Sequence, residues 1–225
     1  MRKLKIKDVV MTALLTALYM VFYMIASCIT MVLGQFGHAI SPGICGFLTG
    51  AVMFFVTRKV GKFFQFTIMQ AICMLIFPIL GAGYLPWVIT SMVAAIIADF
   101  IASREEKPAV WKVAIASGVY HVGQAWGSIV PSWFFLESYK TEWIGRGQTP
   151  EAMEEMVKFT SGFMGVVSTL IVFTLAFGGV FLGWLILRKH LKENKKTESS
   201  ETSESTVSTE PTVSTEPTVS TEPTK

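Results

Sequence analysis

Six apolar runs follow one another along the chain, separated by short polar segments. A helix rises about 1.5 Å per residue, so a run of about twenty residues crosses a hydrocarbon core of roughly 30 Å. Because a backbone exposed to lipid must satisfy its own hydrogen bonds, each run is predicted to be a transmembrane helix. The predicted spans are 9–33, 40–57, 63–80, 84–103, 109–135 and 160–187.

The first run, 9–33, has no charged residue but is not uniformly apolar. Its polar side chains recur at steps of three and four residues, which places them on one face of a helix. These residues are Thr12, Thr16, Tyr19, Tyr23, Ser27 and Thr30. Ala13 and Ala17 lie beside this stripe, where small side chains would let another helix approach closely. A helix that only anchored the chain would need neither feature.

The fifth run carries a second polar stripe, at steps of four, three, four and four residues. Its members are Ser117, His121, Gln124, Ser128 and Ser132. Polar groups at membrane depth normally face the bundle interior or a wet cavity. The stripe therefore indicates either a ligand path or hydrogen bonding between helices, and for His121 the second interpretation is favoured. The stripe of the first run is a candidate partner for it inside the bundle.

Glycines four residues apart occur twice, as Gly46 with Gly50 and as Gly179 with Gly183. Small residues at this spacing allow two helices to approach closely. Both pairs predict tight helix contacts, but the pattern does not identify the partner helix of either.

Polar and aromatic residues also collect in the loops at one side of the predicted membrane. Gln35, His38 and Ser41 follow the first run, and the segment 81–87 precedes the fourth. Tyr84, Trp87 and Trp133 could each belong to an interfacial aromatic belt, but their convergence with Gln35 and His38 favours a shallow outward-facing pocket for a small molecule. The predicted ligand-binding residues are Gln35, His38, Tyr84, Trp87, His121, Gln124, Ser128 and Trp133.

Lys and Arg are distributed unevenly between the two sides. Fifteen lie in the N-terminal segment, in alternate loops and at the start of the tail, whereas the long loop 136–159 has three. The positive-inside rule therefore places both termini in the cytoplasm. Within the long loop, Thr149 followed by Pro150 and Glu151 predicts the start of an amphipathic helix, Pro150 to Lys158, on the outer face.

Composition supports an all-α membrane protein, a bundle of six transmembrane helices. The chain is 52% hydrophobic and 16% charged, with a mean hydropathy of +0.52. Because the topology explains the net charge of +3, no nucleic-acid partner is predicted. Residues 1–196 form the predicted membrane domain. Residues 197–225 contain Thr-Val-Ser-Thr-Glu-Pro three times and are predicted to be a disordered cytoplasmic tail.

Several kinds of chemistry are not indicated. The chain has no phosphate-binding G-x-x-x-x-G-K-[ST] loop. Asp99 is the only acid within an apolar run, and we expect an ion-paired or interfacial residue near Arg104. A proton- or sodium-coupled carrier would need acids or broken helices near the midplane. The three cysteines lack the spacing of a metal site. We therefore predict no enzymatic activity, no cofactor and no metal.

Several segments resemble the S components of energy-coupling factor (ECF) transporters, and most closely the Trep_Strep (MptD-like) group. They are Lys5 to Asp8 with Thr16 to Tyr19, then Phe54 to Lys62, Gly81 to Trp87 and Ile96 to Ala102, and the resemblance covers about residues 4–195.

This resemblance implies the substrate-binding subunit of an ATP-driven micronutrient importer in the bacterial cell membrane. In that family an Ala-x-x-x-Ala of the first helix docks on a T subunit, and Ala13 and Ala17 match it. Two cytosolic ATPase subunits would supply energy. The alternatives are a stand-alone secondary carrier or channel without ATPase partners, a membrane enzyme with His121 as general base, and a structural protein without ligand.

Overall fold

The computed structural model describes residues 4–79, 83–105 and 108–207, with side chains as far as residue 188. All regular structure within these residues is helical. In chain order the helices are α1 (Ile6–Met31), α2 (Gly34–Leu48), α3 (Gly50–Lys59), α4 (Gln65–Ile76), α5 (Leu85–Ala102), α6 (Val110–Phe134), α7 (Leu136–Gly145), α8 (Pro150–Thr160) and α9 (Gly162–Val207). Met1–Leu187 forms one compact unit and Arg188–Lys225 a second.

Each predicted apolar run corresponds to one helix or to a pair of helices. The run 40–57 forms two, because the chain bends by 50° between α2 and α3. At the bend the Thr49 hydroxyl donates to the Cys45 carbonyl over 2.8 Å. The run 63–80 contributes only the twelve residues of α4.

The lengths and the apolar composition of the helices confirm the prediction of an all-α membrane protein. Within the described residues, three helical segments are long and apolar enough to cross a membrane: Ile6–Met31, Leu85–Ala102 and Gly162–Arg188. The α2–α3 pair makes a fourth candidate if the bent pair is one span. Helix α4 is too short by this measure, and the 25-residue α6 carries the polar stripe. A bundle of six spans and the orientation of the termini therefore stay predictions.

One ion pair places the start of α1 and the α3–α4 connection at the same end of the bundle. The Lys62 ammonium pairs with the Asp8 carboxylate at 2.5 Å. The same carboxylate accepts from the Lys5 backbone N–H at 2.8 Å and so caps α1. Close by in the chain, the Gln65 amide donates to the Ser103 hydroxyl at the end of α5, over 3.2 Å. We call this the basic end of the bundle.

Asp99 contacts the start of α4, whereas the sequence suggested an ion-paired or interfacial residue near Arg104. It is fully buried, and its carboxylate accepts from the backbone N–H groups of Phe66 and Thr67 at 3.0 and 2.9 Å. The Thr67 hydroxyl also donates to it, over 2.7 Å. The first N–H groups of a helix have no partner within the helix and favour a negative charge. Asp99 of α5 therefore caps α4 from the neighbouring helix.

Asp99→Asn is expected to lower the free energy of unfolding by roughly 1–3 kcal/mol. The carboxamide keeps one oxygen but turns its NH2 group towards donors, so at least one N–H of α4 loses its acceptor. Thermal unfolding in detergent measures the change. Glu105→Gln makes the same carboxylate-to-carboxamide change at an exposed residue just beyond α5, where a surface ion pair contributes little. This variant is the control and should change stability much less.

The polar stripe of α1 faces the interior, as predicted. Thr12, Thr16, Tyr19 and Thr30 are buried, and the threonine hydroxyls of the first two donate to the carbonyls four residues before them. The opposite side of α1 exposes large apolar side chains. They are Val10, Leu14, Leu18, Val21, Ile25 and Ile29.

The two glycine pairs are partners of each other. A β-carbon added at Gly179 would lie 2.5 Å from the Phe47 α-carbon and 2.7 Å from the Gly46 carbonyl oxygen. One added at Gly183 would lie 2.8 Å from the carbonyl carbon of Gly50. The α2–α3 segment and α9 are therefore in backbone contact, which only glycine permits.

The long loop 136–159 forms two short helices. The prediction of a helix from Pro150 is confirmed by α8, and the Thr149 hydroxyl accepts from the Ala152 N–H at 3.2 Å as its cap. Helix α7 was not predicted. Residues 197–207, the first part of the predicted disordered tail, are helical as the continuation of α9. The rest of the tail, 208–225, and the turn residues 81 and 82 lie outside the described residues.

Candidate functional site

Two adjoining cavities, of about 120 and 330 Å³, lie at the end of the bundle opposite the basic end. They share five lining residues, so they form one space, which we call the end cavity. The shared residues are Tyr23, His38, Ser41, Tyr139 and Trp143. The remaining lining comes from the last turns of α1, from α2, the end of α4, the start of α5, the outer part of α6, and α7 and α8.

The walls of the end cavity are aromatic and carry no Asp, Glu, Lys or Arg among the described residues that line it. One aromatic row runs from Tyr23 through Phe77 to Trp87, with ring centroids 4.8 and 5.2 Å apart. A second row joins Tyr84 to Tyr139 and Trp143, at 5.9 and 5.8 Å. Such walls suit the flat apolar face of a bound molecule, while the polar groups between the walls can fix the orientation of that molecule.

A buried hydrogen-bond network forms the floor of the cavity and links α1, α4, α5 and α6. The His121 Nδ1 lies 2.8 Å from the Ser117 carbonyl oxygen, and its Nε2 lies 3.3 Å from the Tyr19 hydroxyl. The Gln124 amide NH2 donates both to that hydroxyl, at 3.1 Å, and to the Gln70 carboxamide oxygen, at 3.4 Å. The network connects the polar stripes of α1 and α6, as the sequence suggested.

The network continues from Gln70 to the start of α5. The Gln70 NH2 donates to the Ser91 hydroxyl at 3.2 Å, and that hydroxyl donates to the Trp87 carbonyl oxygen. Gln70 and Ser91 are fully buried. Because a buried polar group left without a partner costs roughly 1–3 kcal/mol, a complete network of this kind holds its side chains in one arrangement.

The rim of the cavity is held by Arg146 at the end of α7. Its guanidinium donates to the Gly83 carbonyl oxygen at 2.5 Å and to the Glu142 carboxylate at 2.6 and 2.9 Å. It also lies over the rings of Trp143 and Tyr84, 5.4 and 6.0 Å from their centroids. Partial burial raises the pKa of the Tyr84 phenol, Glu142 adds to the rise and Arg146 opposes it, so Tyr84 is neutral at physiological pH.

Helix α8 closes the remaining side of the cavity. Met153 and Met156 are buried and line the cavity. The Thr160 and Ser132 hydroxyls are 2.7 Å apart, and the Ser168 hydroxyl donates to the Phe159 carbonyl oxygen at 2.9 Å. These contacts tie the end of α8 to α6 and α9.

Comparison with known proteins assigns the family. The chain matches Trep_Strep, a family of hypothetical bacterial integral membrane proteins, over residues 6–193. The chain belongs to the Trep_Strep family. The match includes every residue of the end cavity and all of the described bundle. No curated protein and no solved structure matches the chain.

In this Trep_Strep protein, six of the eight residues predicted to bind ligand line the end cavity. They are Gln35, His38, Tyr84, Trp87, Gln124 and Ser128. His121 lies one helical turn deeper, is fully buried and belongs to the floor network. The structure does not bring Trp133 to this site, since its ring is 46% exposed and lines a separate apolar groove beside Val166.

The sequence reasoning missed the residues that α7 contributes. Tyr139 and Trp143 are four residues apart and lie on one face of α7. This aromatic spacing is the signal that could have placed them. The segment also contains Glu137, Lys140 and Glu142, which made it look like an ordinary solvated loop.

Proposed function

We propose that this chain is the substrate-binding S component of an ATP-driven ECF-type micronutrient importer. The observation that carries the proposal is the end cavity, a site with aromatic walls and a polar floor at one end of the bundle. It is shaped by seven helices and closed beneath by a continuous hydrogen-bond network. A subunit that captures a small molecule, and leaves energy coupling to its partners, needs a site of this kind.

The charge distribution supports an outward-facing cavity. Lys5, Arg58, Lys59 and Lys62 collect at the basic end, and the cavity lies at the other. Positively charged loops remain on the cytoplasmic side of a bacterial membrane. We infer that both termini are cytoplasmic, that six spans cross the membrane, with α4 and its flanking turns as the third, and that the cavity takes its ligand from outside.

The packing below the network argues against a channel. Large side chains with almost no exposed area fill the half of the bundle between the cavity floor and the basic end. They include Tyr120, Phe54, Phe66, Met53 and Met69. Release to the cytoplasm therefore requires a rearrangement of the bundle or of its position, which is the step that ATPase partners would drive.

Helix α1 offers a surface for the T subunit. Ala17 is exposed and Ala13 half-buried, and both lie next to Leu14, which is 64% exposed. Small residues beside large apolar ones form a shallow groove in which another helix can pack. We infer that Ala13 and Ala17 mark the contact with the T subunit, and that the rest of this side faces lipid.

A tagged chain purified from a host that contains ECF T and ATPase subunits is expected to recover all of them. Mass spectrometry of the eluate measures this, and a tagged multi-pass protein of unrelated function is the control. Recovery of the chain alone, together with uptake that persists when the ATPases are inactivated and depends on an ion gradient, would instead support a stand-alone secondary carrier.

A further inference from the structure

The hydrogen-bond directions at the cavity floor follow from one carbonyl group. The Ser117 carbonyl can only accept, so the His121 Nδ1 at 2.8 Å carries the hydrogen. The imidazole is neutral, because it is fully buried and no carboxylate among the described residues contacts it. Its Nε2 is then an acceptor, and the Tyr19 hydroxyl must donate to it.

This assignment fixes the orientation of Gln124. Since the Tyr19 hydroxyl uses its hydrogen on His121, its oxygen must accept, and Gln124 must turn its NH2 group towards it. The second NH2 hydrogen goes to Gln70. The carboxamide oxygen of Gln124 is the atom that remains for the end cavity, which this side chain lines. The deepest polar group of the site is therefore a hydrogen-bond acceptor.

Three other hydroxyl groups of the cavity are acceptors for the same reason. The Ser128 hydroxyl donates its hydrogen to the Ala125 carbonyl at 2.9 Å. Ser27 and Thr30 donate theirs to the carbonyls of Tyr23 and Ser27, each over 3.0 Å. Only their lone pairs are left for a ligand. Gln35, His38, Gln148 and the Ser41 and tyrosine hydroxyls can take either role. The Trp143 indole N–H, which is buried without a hydrogen-bond partner among the described residues, can only donate.

The walls exclude charge. An anion would be buried without a cationic partner, because no Lys or Arg lines the cavity within the described residues. A cation beside Tyr84 and Trp143 would be repelled by the Arg146 guanidinium over these rings. Beside the other aromatic row it would be buried without a carboxylate among the described residues that line the cavity. The two aromatic rows favour a flat molecule, and the cavity volumes suit one or two rings.

We propose that the ligand of this site is an uncharged, planar heteroaromatic compound whose amine, amide or ring N–H group donates to Gln124 and Ser128. The proposal deepens the proposed function and rests on it for the assumption that the end cavity is a ligand site. It names the chemical class by what the site can recognise: ring faces against the aromatic rows, and hydrogen-bond donors at the buried edge.

The first test is the chemistry of the ligand that accompanies the protein. Full-length chain is purified from native membranes in mild detergent, heated, and the released small molecules are identified by mass spectrometry. A neutral heteroaromatic compound with N–H donors is expected. A carboxylate, a phosphate ester, a sugar or an aliphatic compound released in stoichiometric amount would overturn the proposal.

Binding of defined probes tests the same proposal without a co-purified ligand. Adenine and nicotinamide are compared with their charged relatives, adenosine monophosphate and nicotinate, by quenching of tryptophan fluorescence. At least one uncharged probe is expected to bind more tightly than its charged relative. Equal or tighter binding of the charged compounds, or no binding of any uncharged probe at millimolar concentration, would overturn the proposal.

Variants locate the binding edge. Gln124→Leu is expected to weaken the bound neutral probe about tenfold, the effect of losing one buried hydrogen bond. Gln65→Leu makes the same change in a buried glutamine at the basic end, away from the cavity, so the affinity of that variant should change much less. If Gln124→Leu does not fold, Ser128→Ala supplies the same comparison, since its hydroxyl lines the cavity. Unchanged affinity in both cavity variants would overturn the assigned edge.

The outcomes also separate this proposal from the proposed function. A charged ligand in a chain that recovers the T subunit would overturn the ligand class alone. A neutral heteroaromatic ligand in a chain that recovers no T subunit would overturn the S-component assignment alone.

Discussion

Replacing Ala13 and Ala17 together by tryptophan is expected to abolish transport and the recovery of the T subunit, while ligand binding stays largely intact. Ala17 is exposed and Ala13 half-buried, at the edge of the side of α1 that Thr12, Leu15 and Thr16 bury. Two indole rings would hold a partner helix away from a surface that small residues allow it to approach.

Ligand binding in the end cavity should not be affected by these two substitutions. The first cavity residue on α1 is Tyr23, six residues beyond Ala17 and therefore about 9 Å farther along the helix axis. The measurements are uptake into cells, recovery of the T subunit on the tagged chain, and ligand binding with the thermal midpoint in detergent. Ligand binding that falls together with transport would make the alanines internal packing, and the docking assignment would fail.

A matched control lies on the same helix. Leu18 and Ile25 are exposed, at 45% and 46%, and together lie about 110° around the helix from the alanine pair. Leu18→Trp with Ile25→Trp is expected to leave recovery of the T subunit unchanged. Loss of recovery in this control as well would show that bulk anywhere on α1 disturbs assembly, and the alanine pair would have no special role.

The sequence was sufficient to predict the floor of the candidate site. Polar side chains at membrane depth must find partners, so two stripes at helical spacing, one on α1 and one on α6, had to face inward. The bonds from Tyr19 to His121 and from Gln124 to Tyr19 are the result. How far the end cavity reaches along α6 was not predictable. His121 and Gln124 share the stripe, and only the packing decides which of these two side chains lines the cavity.

Trp133 was predicted to bind ligand from its position near the rim alone, and this position does not bring its ring to the end cavity. It follows Ser128 by five residues, which turns it about 140° around the helix from the stripe. That rotation takes the ring to the outside of the bundle, where it lies in an apolar groove. The helical periodicity used for the stripe would have excluded it, had it been applied to the aromatic residues as well.

The roof of the site depends on contacts between distant segments. Tyr139 and Trp143 reach the cavity because Arg146 bonds to the Gly83 carbonyl, 63 residues earlier in the chain. No local pattern encodes such a contact. The bend at Thr49 is similar, since a single apolar run predicted one helix, and the break became visible only with the close approach of α9 to Gly50.

That close approach leads to the largest expected loss of stability in the chain. Gly179→Leu is expected to lower the free energy of unfolding by about 3 kcal/mol or more, since overpacking against backbone atoms cannot be relieved by side-chain rotation. Already the β-carbon would lie 2.5 Å from the α-carbon and the carbonyl oxygen of Phe47. The α2–α3 segment would have to separate from α9, and His121 beside Gly46 would lose its packing.

The neighbouring residue supplies the control for this prediction. A β-carbon added at Gly178 meets no atom within 4 Å, so Gly178→Leu should leave stability unchanged or raise it by up to about 1 kcal/mol, the difference in helix propensity. Thermal unfolding in detergent and the yield of monodisperse protein measure both variants. Equal stability of the two variants would mean that α9 and the α2–α3 segment are not in backbone contact. The paired glycine motifs would then be two independent features, and the floor network would have to be positioned by the α1, α4, α5 and α6 packing alone.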